Sequence, residues 1–188
     1  MIEYLWRKRV YCDGGHNAWP AIRFFKGRYF VSFSGQDSHF HRAKARALVV
    51  HSVDGLNWSE PIRLEYQGLP ISDVSSLFVK DGRLFAEMYA HLDKDHRLTL
   101  VADTEDGDTW SDPRPLDPVL TAWHVTAWEG SLYRALSEIN GDEGLFLWRS
   151  SDGQHWEKIS LIAKDRFFSR DGPSFSKRRE DRGRGSAA

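Results

Sequence analysis

Three carboxylates in this chain occupy positions suited to proton transfer: Asp37, Asp73 and Glu138. Asp37 opens the polar stretch Asp37-Ser38-His39-Phe40-His41-Arg42, and Glu138 opens Glu138-Ile139-Asn140-Gly141-Asp142-Glu143. A partly buried loop carboxylate holds its proton to higher pH and can protonate a leaving oxygen. The plainer alternative for each is a solvated loop carboxylate, and for Asp73 a turn cap. Asp13, in Cys12-Asp13-Gly14-Gly15, is an alternative to Asp37 in a three-carboxylate set. Arg42 can grip a carboxylate with two parallel hydrogen bonds, or simply be solvated. His16 and His124 can donate to hydroxyls, and Trp19 and Trp123 can stack on a sugar ring or pack in a core. His39 and His41 lack a third ligand in any motif, so no metal is expected. No phosphate-cradling loop occurs, because the Gly14-Gly15 segment lacks the required Lys and Ser/Thr, and no cofactor is expected.

These residues are spaced by a repeat. Ser52-Val53-Asp54-Gly55-Leu56-Asn57-Trp58, Thr104-Glu105-Asp106-Gly107-Asp108-Thr109-Trp110 and Ser150-Ser151-Asp152-Gly153-Gln154-His155-Trp156 all read Ser/Thr-x-Asp-Gly-x-x-Trp. The Asp-to-Asp steps are 106 − 54 = 52 and 152 − 106 = 46. Upstream of each copy a Gly turn separates two β-prone runs, at Gly27, Gly82 and Gly130. Both markers give a period of about 50, and each unit reads strand, tight turn, strand, polar loop, strand, Asp-Gly turn, strand. That is a four-stranded antiparallel sheet, the blade of a β-propeller, and the chain is expected to be all-β with about three blades. In a blade the start of the first strand and the loop between strands two and three share the ligand end. Asp37, Asp73, Glu138, His16, Arg42, Trp123 and His124 all fall there. The Asp-Gly turns fall at the opposite end, so Asp54, Asp106 and Asp152 are expected to be structural, with their tryptophans starting the fourth strands and largely buried.

The repeats resemble the Asp-box, or BNR, motif of the sialidase (neuraminidase) superfamily, in a form with Trp four rather than five residues after Asp. The run His16 to Tyr29 looks like the opening blade of sialidase-like glycosidases. The resemblance implies a propeller of sialidase-like type, here blades one to three of six over residues 10–165, and an exo-glycosidase activity on glycans with a carbohydrate ligand. It also implies that Asp37, by its place in an early blade, is the acid/base residue. The family's Arg-Ile-Pro motif departs here, since Ala18 stands where its arginine would if Pro20 is the matched proline. The nucleophilic Tyr and the other two arginines of the family belong to later blades. A non-catalytic glycan- or protein-binding propeller fragment is therefore the alternative.

The composition narrows the classes. The chain has 188 residues, 26 Lys+Arg against 27 Asp+Glu, and a net charge of −1, without the basic excess that nucleic-acid binding needs. No apolar run is long enough to span a membrane, and charge interrupts the N-terminal segment where a secretory core would be, so the sequence as written reads as cytoplasmic. One cysteine, Cys12, excludes an intrachain disulfide. Residues 174–188 read as a disordered basic tail. Three blades cannot close a ring, so open blade edges are expected, either as those of an incomplete propeller or as the pairing surfaces of a homodimer.

Overall fold

The computed structural model describes residues 8–38, 44–93, 96–116, 124–136 and 144–164. Twelve strands form three four-stranded antiparallel sheets, each in simple chain order. Blade 1 holds β1 (His16–Phe25), β2 (Arg28–Gln36), β3 (Arg46–Ser52) and β4 (Ile62–Leu64). Blade 2 holds β5 (Ile71–Lys80), β6 (Arg83–His91), β7 (Arg97–Thr104) and β8 (Arg114–Pro115). Blade 3 holds β9 (Thr126–Trp128), β10 (Ser131–Leu136), β11 (Leu145–Ser150) and β12 (Glu157–Ala163).

The first hairpin of each blade turns on two residues with positive φ: Lys26-Gly27 (44° and 79°), Asp81-Gly82 (48° and 76°) and Glu129-Gly130 (45° and 76°). Positive φ at both positions is the geometry whose twist matches the flanking strands. Each Asp-Gly turn is a small hydrogen-bonded cage, and the three cages are alike. Asp54 Oδ1 accepts from the backbone N–H of Leu56 and Asn57, both at 2.8 Å, while the Gly55 N–H donates to Ser52 Oγ at 2.9 Å. Asp106 and Asp152 accept from Asp108/Thr109 and Gln154/His155, again at 2.8 Å. The structural role expected of these carboxylates is what the molecule shows.

Two expectations need correcting. The fourth strand starts directly after the tryptophan only in blade 3, where Trp156 precedes β12. In blades 1 and 2, Pro61 and Pro113 follow the tryptophan by three residues and carry no N–H for the ladder, so β4 and β8 begin just after each proline and stay short. And only Trp156 is buried; Trp58 and Trp110 are half-buried.

Strand alternation sends each blade's two faces to different neighbours. Phe30, Ala47 and Val49 of blade 1 meet Ile71, Leu77, Leu84 and Met88 of blade 2 in one core. Phe78, Phe85 and Val101 of blade 2 meet Val125, Leu132, Phe146 and Trp148 of blade 3 in a second. On the other face of blade 1, Val31, Phe33, Leu48 and Val50 are covered in part by Val10, Tyr11 and Trp58. The inner strands run side by side, with β5 against β1 and touching β9. Arg23 of β1 reaches across them and donates to the Leu77 carbonyl at 3.0 Å and the Val125 carbonyl at 3.5 Å, tying all three blades together. At the edge of blade 3, Arg149 of β11 makes a salt bridge with Glu157.

Candidate functional site

The ligand end of blade 1 is assembled by register. His16 pairs with Gln36, Asn17 with Gly35, and Gly35 with Arg46, so the start of β1, the end of β2 and the start of β3 converge. Just ahead of β1, Asp13 is the hub of this end. Its Oδ1 accepts from the Gly15 N–H at 2.9 Å and the Asn17 amide at 3.0 Å, and its Oδ2 accepts from Arg46 Nη2 at 2.9 Å. The Asn17 amide first, then the Gly15 N–H, hold the Asp13 carboxyl below the usual carboxylate range; burial opposes them and Arg46 adds to them. Asp13 is therefore ionised at neutral pH. It suits a nucleophile, a base or a stabiliser of positive charge, not a proton donor.

Around Asp13 several buried polar atoms have no hydrogen-bond partner among the described residues: both amide atoms of Gln36, Asn17 Oδ1 and Arg46 Nε. Such atoms cost free energy unless something bonds to them. β2 places Gln36 here because Phe30, Ser32, Ser34 and Gln36 alternate onto the face that meets blade 2. Sequence reasoning missed Asn17, Gln36 and Arg46. The signal that exposes Gln36 is a polar run at alternate positions, Ser32-x-Ser34-x-Gln36, on a face that is otherwise core. β1 also carries a bulge between Ala18 and Ala21, with Trp19 at φ 52° and its ring edge-on to His16 at 5.9 Å. A positive φ on a tryptophan is strained, and bulges re-aim side chains at strand ends. Blade 2 repeats the arrangement with a bulge between Ser72 and Ser76, and Ser72 Oγ lies 2.6 Å from His91 Nε2. The two blades are joined at this end where the Ile71 N–H donates to the Ala45 carbonyl at 3.0 Å.

The predicted site residues are distributed as follows. His16 is at this end, half-buried, at the start of β1. Asp37 follows β2 directly at the same end, but it is exposed rather than partly buried, and its carboxylate is 3.4 Å from the Lys44 ammonium. The backbone of Asp73 lies in β5 at the bulge; its side chain lies outside the description, as do Arg42, Trp123 and Glu138 and residues 165–188 of the tail region. His124 is exposed ahead of β9 and lines an open pocket of about 410 Å³ with Thr126, Tyr133, Arg134, Ala135 and Leu147. That pocket lies on the uncovered face of blade 3. Among the described residues, no three His, Cys, Asp or Glu side chains gather in a way that would hold a metal ion.

Three four-stranded meanders around a common line of inner strands define the class: this is a β-propeller architecture, and solved structures of similar fold include propeller glycoside hydrolases. No protein-family profile matches the chain, and no curated protein is similar to it in sequence. Its fold is similar to that of a protein of unknown function from Dyadobacter fermentans, at a TM-score of 0.63 and 19% identity over 80% of this chain and 56% of that one. It is similar to the GH32 β-fructofuranosidase BmSUC1 of Bombyx mori, at 0.58 and 14% over 80% and 36%. It is also similar to the subtype N10 neuraminidase-like protein of A/little yellow-shouldered bat/Guatemala, at 0.54 and 11% over 77% and 43%. The likeness is therefore to propeller glycoside hydrolases in general and not to sialidases in particular. The chain spans little more than half of the longest-matched of these proteins, and less of the others.

Proposed function

We propose that this chain carries the sugar-binding end of a sialidase-like propeller glycoside hydrolase acting on glycans. The observation that carries the reading is the combination at one end of blade 1. An ionised carboxylate, Asp13, is held by three donors. Beside it Gln36, Asn17 and Arg46 keep buried hydrogen-bonding atoms unused. Sugar hydroxyls both donate and accept, so they match that mixed set. The fold shared with glycoside hydrolases supports the same class. Ala18 stands where the sialidase motif has arginine, and Arg46 is already committed to Asp13, so a neutral sugar fits this end better than one bearing a carboxylate.

In the catalytic reading, Asp37 protonates the leaving oxygen and Asp13 opposes the positive charge that develops at the sugar ring. Asp73 and Glu138 complete the carboxylate set, while His16, His124, Arg42 and Trp123 contact the substrate. The missing arginine and the half-length coverage favour a second reading, a non-catalytic glycan- or protein-binding propeller. A panel of fluorogenic glycosides, read alongside a glycan array, separates the two. Turnover that falls about 100-fold or more in both Asp13→Asn and Asp37→Ala supports hydrolysis. Binding weakened by Gln36→Ala, with no turnover, supports the second reading. Neither turnover nor binding overturns both.

A further inference from the structure

The three blades repeat closely enough that each side chain has counterparts, counted from the hairpin glycines Gly27, Gly82 and Gly130. Five residues before the glycine stand Ile22, Leu77 and Val125. Leu77 and Val125 are 2% and 4% exposed, because each presses on the blade before it, whereas Ile22 is 62% exposed. Two residues after the glycine, Leu84 and Leu132 are fully buried and Tyr29 is 39% exposed. Phe24, on the same face of blade 1, is also exposed.

The Asp-Gly turns show the same difference. A Cβ on Gly107 of blade 2 would strike the ring of Phe30 in blade 1, and a Cβ on Gly153 of blade 3 would meet Phe78 of blade 2 at 2.7 Å. Nothing lies within 4 Å of a Cβ on Gly55. The next residue in each turn also differs. Asp108 accepts from Arg28 of the blade before, and Gln154 from Arg114, whereas the equivalent Leu56 is exposed. Among the described residues no blade covers the rear face of blade 1, which is built as a blade-to-blade joint; Val10, Tyr11 and Trp58 cover its Val31, Phe33, Leu48 and Val50, while Ile22, Phe24, Tyr29 and Leu56 stay exposed.

Blade 3 has the opposite half of the joint. Three residues after the hairpin glycine, Phe30 and Phe85 are buried against the following blade; the counterpart in blade 3 is Tyr133, which is only half-buried. Two residues before the glycine, Phe25 is buried and its counterpart Trp128 is 60% exposed. Leu147 lies on this same face, beside the open pocket.

We propose that the occupant of both faces is a second copy of this chain. The forward face of blade 3, with Trp128 and Tyr133, docks on the rear face of blade 1 of the other copy, with Ile22, Phe24, Tyr29 and Leu56, and Tyr133 seats on Gly55 as Phe30 seats on Gly107. A two-fold axis makes the joint twice and closes six blades into a ring, as a head-to-tail contact must if it is not to polymerise. Two observations select a second copy: the uncovered faces are complementary halves of one repeated joint, and the matched part of this chain spans only 36–47% of propellers of similar fold. The six-blade ring would also surround the ligand ends of the inner strands, which three blades leave open on one side.

Sedimentation velocity of the full chain at micromolar concentration tests this. A particle of two chains is expected. Phe24→Asp and Trp128→Asp each place a charge in one half of the joint, and each is expected to raise the dimer dissociation constant about tenfold or more. Both residues are exposed in the single chain, so the far-ultraviolet circular dichroism of both variants is expected to match the parent, which separates lost docking from lost folding. A monomer at these concentrations overturns the proposal, and so does an open-ended polymer. A dimer weakened by only one of the two variants overturns it too, because that response belongs to a like-to-like contact.

Discussion

Glu87 and Arg134 form an ion pair with no exposed side-chain surface, at 2.7 Å, across the joint between blades 2 and 3. The guanidinium carbon lies over the Trp156 ring, 3.6 Å from its centre. Glu87 Oε1 and Arg134 Nε and Nη2 have no further partners. Burial pushes the Glu87 carboxyl up, and Arg134 opposes that push. Desolvation of both charges offsets most of their attraction, so the pair adds little net stability, yet removing one member strands the other. Arg134→Ala is expected to cost about 3–5 kcal/mol in urea unfolding, and the double replacement Glu87→Leu with Arg134→Met to recover most of it or more. Trp156→Ala is expected to cost about 3–5 kcal/mol, for the lost core contacts and the cation it faces, and Trp58→Ala clearly less, since Trp58 is half-buried. Equal losses at the two tryptophans would show that burial is not what distinguishes the copies.

At the scale of elements, the Asp-Gly turn does two jobs. Inside the blade its carboxylate gathers backbone N–H groups, which holds Asp54 and Asp152 well below the carboxylate range and brings Asp106 down to about 2. For Asp54 and Asp106 the backbone donors at Asn57 and Thr109 are the largest cause; for Asp152 burial pushes upward and His155, Gln154 and Ser150 together outweigh it. A carboxylate whose folded value lies below its unfolded value, near 3.9, stabilises the fold above that pH and stops doing so as pH falls through the folded value. The thermal midpoint is therefore expected to fall as pH drops from about 4 to about 2. Asp106→Asn is expected to lower the midpoint at pH 7 and flatten this acid limb; an unchanged limb would mean that other groups control it. Between blades, the turn glycine is a contact point. Gly107→Ala adds both left-handed strain and a clash with Phe30, whereas Gly27→Ala, at φ 79° with open space, adds the strain alone, about 1–2 kcal/mol. A larger midpoint loss for Gly107→Ala measures the joint.

Across the whole molecule, blades are a row of sheets in which each stabilises only its neighbours. Among the described residues blade 2 has a blade on both faces, whereas one face of blade 1 is covered only in part, by Val10, Tyr11 and Trp58, and one face of blade 3 is open. Blade 3 is also the one with the shortest inner strand, β9, whose three residues are exposed. Amide hydrogen exchange is expected to be slowest in β6 and β7 and fastest in β9 and β12. Exchange that is uniform across the three sheets would mean that the chain opens as one unit and that the open faces cost it nothing locally.

The elements legible in the sequence were those decided by near neighbours. A Gly after Lys26, Asp81 or Glu129 marks a two-residue hairpin because the turn needs positive φ and glycine adopts it without steric cost, and Ser/Thr-x-Asp-Gly closes its own cage within six residues. The period of about 50 and the faces of each strand follow from those turns, as does the late start of β4 and β8 once Pro61 and Pro113 are given their due. The site was legible only in part. Blade topology put His16 and Asp37 at the end of blade 1 where Asp13 lies, but Asp13 gathers the donors there, and one of them is Arg46, 33 residues on. Tertiary structure alone decided which polar groups lost water. Glu87 meets Arg134 across 47 residues, and Arg23 reaches Val125 across 102. A backbone turn depends on torsions that a residue carries wherever it is placed, whereas desolvation depends on what a different blade sets against it, and no spacing along the chain records that.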